Sequence, residues 1–306
     1  MTYVELHGGL SVKNGRLTGQ NGEAVRLCGM STHGIAWRGS YINEDTFLTL
    51  RDGWQTNCIR LALYTAEFRG YCTGGDKQKL MGLVKKGVDL AVKLGMYVIV
   101  DWHVLGEKSP LVYADEAERF FDELSRSYAG VPNLLYELCN EPNGPVDWTE
   151  IKGYADRIIP VIRKNSPGAV VIVGSPEWSQ RVDMVLEAPL ECENVLYSMH
   201  FYAATHKDSL RERVRRCLAA GLPILISECN ITEASGDGEP DEVSGGLWFE
   251  MLEEYKVGFI CWSLASNRES SGVIADGCTK LSDWEDSEIK HSGLWFRERF
   301  RSCTDK

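Results

Sequence analysis

The chain's 306 residues are 43% hydrophobic and 25% charged, ordinary values for a globular protein long enough to bury a large core without disulfides or metals. A net charge of −11 with no basic stripe argues against nucleic acid as a partner and against an anionic polymer, but not against a neutral one. No apolar stretch reaches the roughly 18 residues that span a bilayer, so no membrane association is expected.

In chain order, the segment 8–25 (GGLSVKNGRLTGQNGEAV) carries an Asn-Gly turn and predicts a hairpin within residues 1–25. The N-terminus has no signal-peptide apolar region. An apolar run followed by a polar loop then recurs eight times: 26–30 (RLCGM), 58–63 (CIRLAL), 97–101 (YVIVD), 134–138 (LLYEL), 170–174 (VVIVG), 195–200 (VLYSMH), 223–227 (PILIS) and 258–263 (GFICWS). Short continuous apolar runs suit strands buried on both faces. Helical spacing follows at 82–95, 115–130, 148–165 and 209–221, each stopping at Gly or a Pro/Gly turn. Eight such alternations predict one (β/α)8 barrel over residues 1–306, with the hairpin capping its floor.

The ten cysteines are scattered singly, and none forms a CxxC pair. Cys28, Cys58, Cys139, Cys229 and Cys261 fall within apolar runs, so buried free thiols are expected, with most of the ten reduced. His7, His206 and His291 lie outside any motif and are expected at the surface.

Barrel enzymes build their sites at the C-terminal ends of the strands. Here those ends are crowded with polar groups: Arg60 on the second, Asp101-Trp102-His103 on the third, Asn140-Glu141-Pro142 on the fourth, His200-Phe201-Tyr202 on the sixth, Glu228 on the seventh and Trp262 on the eighth. Glu141 and Glu228 close strands on opposite sides of the mouth. A pair of carboxyl groups facing each other in this way is what retaining glycosidases use, at about 5–5.5 Å. Three histidines near strand ends, His33, His103 and His200, raise a metallohydrolase reading. It lacks the HxH pair such sites use, so no metal and no cofactor are expected.

GMSTHGIAW, IRLALYT, YVIVDWH, YELCNEPNG, WSQ, HFYAATH, LISEC and WSL, in that order, give the chain a family likeness. It resembles glycoside hydrolase family 5, and within it the bacterial endo-β-1,4-glucanases, along nearly its whole length. The resemblance implies Glu141 as acid/base and Glu228 as nucleophile. It implies Arg60 and Tyr202 as supports of the nucleophile, His200 beside the acid/base, and His103 and Asn140 as sugar contacts. It further implies His33, Trp37 and Tyr64 on the glycone side, Trp178 on the aglycone side, Trp262 beneath the sugar at the cleavage point, and Glu269 as a polar contact. The expected substrate is a β-1,4-glucan, handled by a secreted monomer whose signal is missing from this chain, with a cytoplasmic location as the alternative. Preference for mixed-linkage glucan, xyloglucan or mannan is the nearest competing reading, and a non-catalytic carbohydrate-binding barrel is one of a different class. Two positions depart from the family pattern: Cys229 stands where Trp is usual beside the nucleophile, and Asn267 where a Lys is usual after the eighth strand.

Overall fold

The computed structural model describes residues 1–303. Eight parallel strands close a barrel: β1 (Cys28–Thr32), β2 (Cys58–Tyr64), β3 (Tyr97–His103), β4 (Leu134–Glu137), β5 (Val171–Val173), β6 (Val195–Tyr202), β7 (Ile224–Asn230) and β8 (Phe259–Leu264), with β8 pairing back onto β1. Every residue of these strands is buried, as expected where helices cover the outside and side chains fill the inside.

One principal helix follows each strand: α1 (Glu44–Leu48), α2 (Lys77–Leu94), α3 (Ala114–Ser127), α4 (Trp148–Asn165), α5 (Val182–Glu187), α6 (Asp208–Ala219), α7 (Glu242–Tyr255) and α8 (His291–Cys303). Their ends are chemically specified. Asp76, Asp147 and Asp241 cap α2, α4 and α7 by accepting from backbone N–H groups three residues on. Gly95 ends α2 in the left-handed conformation at φ 63°, where a Cβ would meet Thr2.

Side-chain alternation divides the barrel into layers. Tyr97, Ile99, Leu135, Ile172, Leu196, Leu225 and Ile260 form an apolar lower layer with Leu17 of the N-terminal ribbon (Ser11–Lys13 with Arg16–Thr18) and Leu10 just before it. Ile59, Leu61, Val98, Val100 and Cys229 pack outward against the helices. The upper inward layer is polar and carries the site. On β7 the alternation breaks: Ser198↔Leu225 is followed by His200↔Glu228, two residues of β6 against three of β7. This bulge lets Ser227 and Glu228 both contact interior groups, while Cys229 packs outward.

One expectation about the thiols is corrected. Cys28 is bonded to Cys303, joining β1 to the last turn of α8, while the other eight cysteines are free. Cys303 is distant in sequence, and only ring closure brings the two together. No described helix is long and apolar enough to cross a membrane.

Candidate active site

A cleft of about 500 Å³ opens at the C-terminal ends of the strands. Its walls contain ten of the residues singled out from sequence: His33, Tyr64, His103, Glu141, Trp178, His200, Tyr202, Glu228, Trp262 and Glu269. Arg60 and Asn140 are fully buried beneath it. Trp37 stands at its edge, 37% exposed, with its ring 4.8 Å from that of Tyr64.

Arg60 organises the floor. Its Nε donates to Glu137 at 2.6 Å, its Nη2 to Asn140 Oδ1 at 2.6 Å, and its Nη1 to Glu228 at 3.3 Å, with Asp101 3.0 Å away. Burial pushes the guanidinium down, but Asp101, Glu137 and Glu228 outweigh that and keep it charged. A buried cation with three carboxylates around it is costly to disrupt, because removing it leaves uncompensated charge in a dry interior. Glu228 is further held by Tyr202, whose hydroxyl donates to it at 2.6 Å.

Glu141 sits differently. Its carboxylate meets His200 Nδ1 at 2.9 Å, and its backbone N–H donates to Val104 O. Burial pushes its carboxyl up to about 8. Burial also pushes His200 down to about 4, so the ring is neutral at neutral pH. One set of directions satisfies every group. Ser227 donates to Glu137 at 2.6 Å, Ser198 donates to Ser227 at 2.5 Å, His200 Nε2 donates to the Ser198 and Ser227 hydroxyls at 2.9 and 3.0 Å, and Nδ1 is left to accept from a protonated Glu141. Glu228 is raised by burial too, and by the charge of Glu141, so the two titrate as a pair. Of the two, Glu228 ionises first, because Arg60 and Tyr202 both donate to it. One N or O atom each from Glu141, His200 and Glu228 lie within 4.8 Å of one another. A cation here would have to displace the bonds that already occupy both nitrogens of His200.

Aromatic rings line one side. His33, Tyr64, His103 and Trp262 stack or tilt against one another at 4.0–6.4 Å. His103 is fixed by Asp101 at 2.5 Å and is pushed well down by burial and by Arg60. On the opposite side Trp178 is 46% exposed. It lies in a segment where Glu177, Trp178 and Ser179 all have φ between 55° and 58°. Such left-handed backbone costs about 1–3 kcal/mol per residue and persists only where other contacts impose it. Here Trp178 N–H donates to Pro142 O and Ser179 Oγ to Asn140 O, tying the segment to the strand end that bears Glu141.

The loop after β8 takes a specific form. Asn267 donates to Glu269 at 2.9 Å, and Lys290 Nζ donates to the carbonyl oxygens of Asn267 and, at 2.8 Å, Glu269. Arg268 points to solvent. His33, whose Nε2 lies 3.8 Å away, holds the Glu269 carboxyl below its ordinary range. Sequence reasoning missed Glu137, whose signal was a lone charge inside an apolar run. It also misplaced His206. Unlike His7, which pairs with Glu23, and His291, which is exposed, His206 lines the cleft, because the chain after β6 turns back to bond Tyr202.

These features have close counterparts. The sequence profile of Cellulase (glycosyl hydrolase family 5) matches residues 18–268. The chain is 40% identical over 295 residues to Endoglucanase A of Butyrivibrio fibrisolvens, covering 95% of this chain and 68% of that protein. It is 39% identical to Endoglucanase N of Pectobacterium atrosepticum, covering 98% and 67%. It thus spans about two thirds of the length of these relatives. Among solved structures, a variant of the Thermobifida fusca endoglucanase Cel5A catalytic domain, in complex with cellotetraose, superposes with a TM-score of 0.93 at 33% identity, covering 98% of this chain and 100% of that one. A profile match over most of the barrel, with identities near 40% along nearly the whole chain, establishes that the protein belongs to the cellulase family, glycosyl hydrolase family 5.

Proposed function

We propose that the protein is a retaining endo-β-1,4-glucanase in which Glu228 is the nucleophile and Glu141 the acid/base. The observation that carries this reading is the approach of the Glu141 and Glu228 carboxylates to within 4.8 Å. That separation suits direct attack, whereas inversion needs about 6.5–9.5 Å to admit a water. In the first step Glu228 attacks the anomeric carbon as the glycosidic C–O bond breaks, and Glu141 gives its proton to the departing oxygen. In the second step Glu141 takes a proton from water, whose oxygen attacks that carbon and releases Glu228. Arg60 and Tyr202 keep Glu228 ionised and aimed, while burial keeps Glu141 protonated. His103 contacts the sugar being cleaved, while Asn140, expected to do so too, is buried and bonds His103 from beneath; Trp262 lies beneath the sugar, and His33, Trp37, Tyr64 and Glu269 bind the glycone. Trp178 stacks on the leaving sugar. The barrel works as a monomer, without metal or cofactor, in an oxidising extracellular setting, a location that the Cys28–Cys303 bond supports.

A 2-deoxy-2-fluoro cellobioside with a good leaving group tests the roles, since it slows release from the enzyme more than attack. Mass spectrometry of the digested protein should find a cellobiosyl adduct on the peptide bearing Glu228. An adduct on another carboxylate, or none, overturns the assignment.

A further inference from the structure

His206 lies four residues past Tyr202, half-buried in the cleft wall that also holds Trp178 and Gln180. The Tyr202 backbone N–H donates to its Nδ1 at 2.8 Å. A backbone N–H can only donate, so Nδ1 carries no proton, and the neutral ring holds its proton on Nε2. The main chain of His206 is fixed as well: its N–H donates to Tyr202 O at 2.8 Å, and its carbonyl accepts from Trp248 Nε1 at 2.8 Å. Among the described residues nothing accepts from Nε2–H, and the atom is not sealed from solvent. Burial holds the ring well down, at about 4, so it is neutral between about pH 4 and about pH 8, where Glu141 is still protonated. The result is one oriented, unspent donor in the cleft.

Its side of the cleft follows from the chain. The ring cluster of His33, Tyr64 and Trp262 comes from β1, β2 and β8. Trp178 and His206 come from the loops after β5 and β6, and Trp178 is bonded to Pro142 beside Glu141, the group that protonates the departing oxygen. We propose that His206 Nε2–H donates to a hydroxyl of the sugar on the leaving-group side, making His206 a determinant of preference for a sugar over another leaving group. This rests on the glucanase reading of the cleft.

The test is His206→Asn, whose Oδ1 reaches the place of Nδ1 and keeps an acceptor for Tyr202, while the Nε2 donor is lost. The readout is the ratio of kcat/KM on cellotetraose to kcat/KM on an aryl cellobioside, whose leaving group is a phenol. That ratio does not depend on how much of the preparation is folded. It should fall about two- to tenfold, the worth of one neutral hydrogen bond. His206→Gln, which carries an amide N–H towards the Nε2 position, should hold the ratio near wild type. An unchanged ratio in His206→Asn, or an equal fall in both variants, overturns the assignment while leaving the glucanase reading intact. A wild type that cleaves neither substrate overturns both.

Discussion

Glu141 and Glu228 are chemically identical side chains that their surroundings drive apart. Glu141 has a neutral histidine for a partner and is pushed up to about 8, while Glu228 has Arg60 and Tyr202. The kcat/KM profile should therefore fall as pH rises through about 8, as Glu141 loses its proton. Glu141→Gln should lower kcat/KM on cello-oligosaccharides by about 10²–10⁴-fold and remove that basic limb. A profile with the limb intact in the variant would assign it to another group. The same shift carries a stability consequence. A carboxyl raised from 4.5 to about 8 by burial stabilises the fold fully below about 4.5, and that contribution is lost as pH rises through about 8. Relative to Glu141→Gln, the wild-type thermal midpoint should drop between about pH 5 and about pH 9, and parallel curves would contradict this. The meeting of Glu141 and Glu228 in one cleft was legible in the sequence because carboxylates at strand ends are conspicuous. Glu137 and His206 were not, since the role of each depends on a partner brought in by folding: Arg60 for one, the Tyr202 main chain for the other.

At the scale of elements, apolar runs found all eight strands, because a buried parallel strand needs unbroken apolar sequence. The bounds at the functional end were too short. β3 continues through His103, β6 through Tyr202 and β7 through Asn230, since polar side chains there are satisfied by one another inside the barrel. The β7 bulge leaves no mark in residue type, so no periodicity could show Ser227 and Glu228 both meeting interior groups. α7 and α8 were not predicted, and both carry glycines in their first turns, where helix propensity is poor. Gly245 is needed there, as a Cβ would press on Ile231 and Trp295. The Cys28–Cys303 bond closes a span of 275 residues and ties the first barrel strand to the last helix. Alkylation after unfolding without reductant should modify eight cysteines and leave these two linked. Cys303→Ser should cost about 2–5 kcal/mol of stability. Ten modified thiols in a protein purified from an oxidising compartment would refute the linkage.

Taken as a whole molecule, the barrel is a rigid frame with an apolar floor and a polar mouth. The cleft crosses that mouth, with Trp37 exposed at one side and Trp178 at the other. A groove of this kind fits a chain held on both sides of the cleavage point, and a net charge of −11 favours a neutral glucan over an acidic one. Rates on carboxymethyl-cellulose, lichenan, xyloglucan and glucomannan should rank the unbranched β-1,4-glucosyl regions first. Higher rates on xyloglucan or glucomannan would shift the substrate assignment without touching the chemistry. The chemistry itself stands on the two carboxylates meeting across the barrel, an oxygen of each within 4.8 Å of the other. Early-time proton NMR of the freed anomeric centre during cello-oligosaccharide hydrolysis reads this directly. The account predicts that the β anomer forms first and the α anomer grows only by mutarotation. Initial release of the α anomer would contradict it.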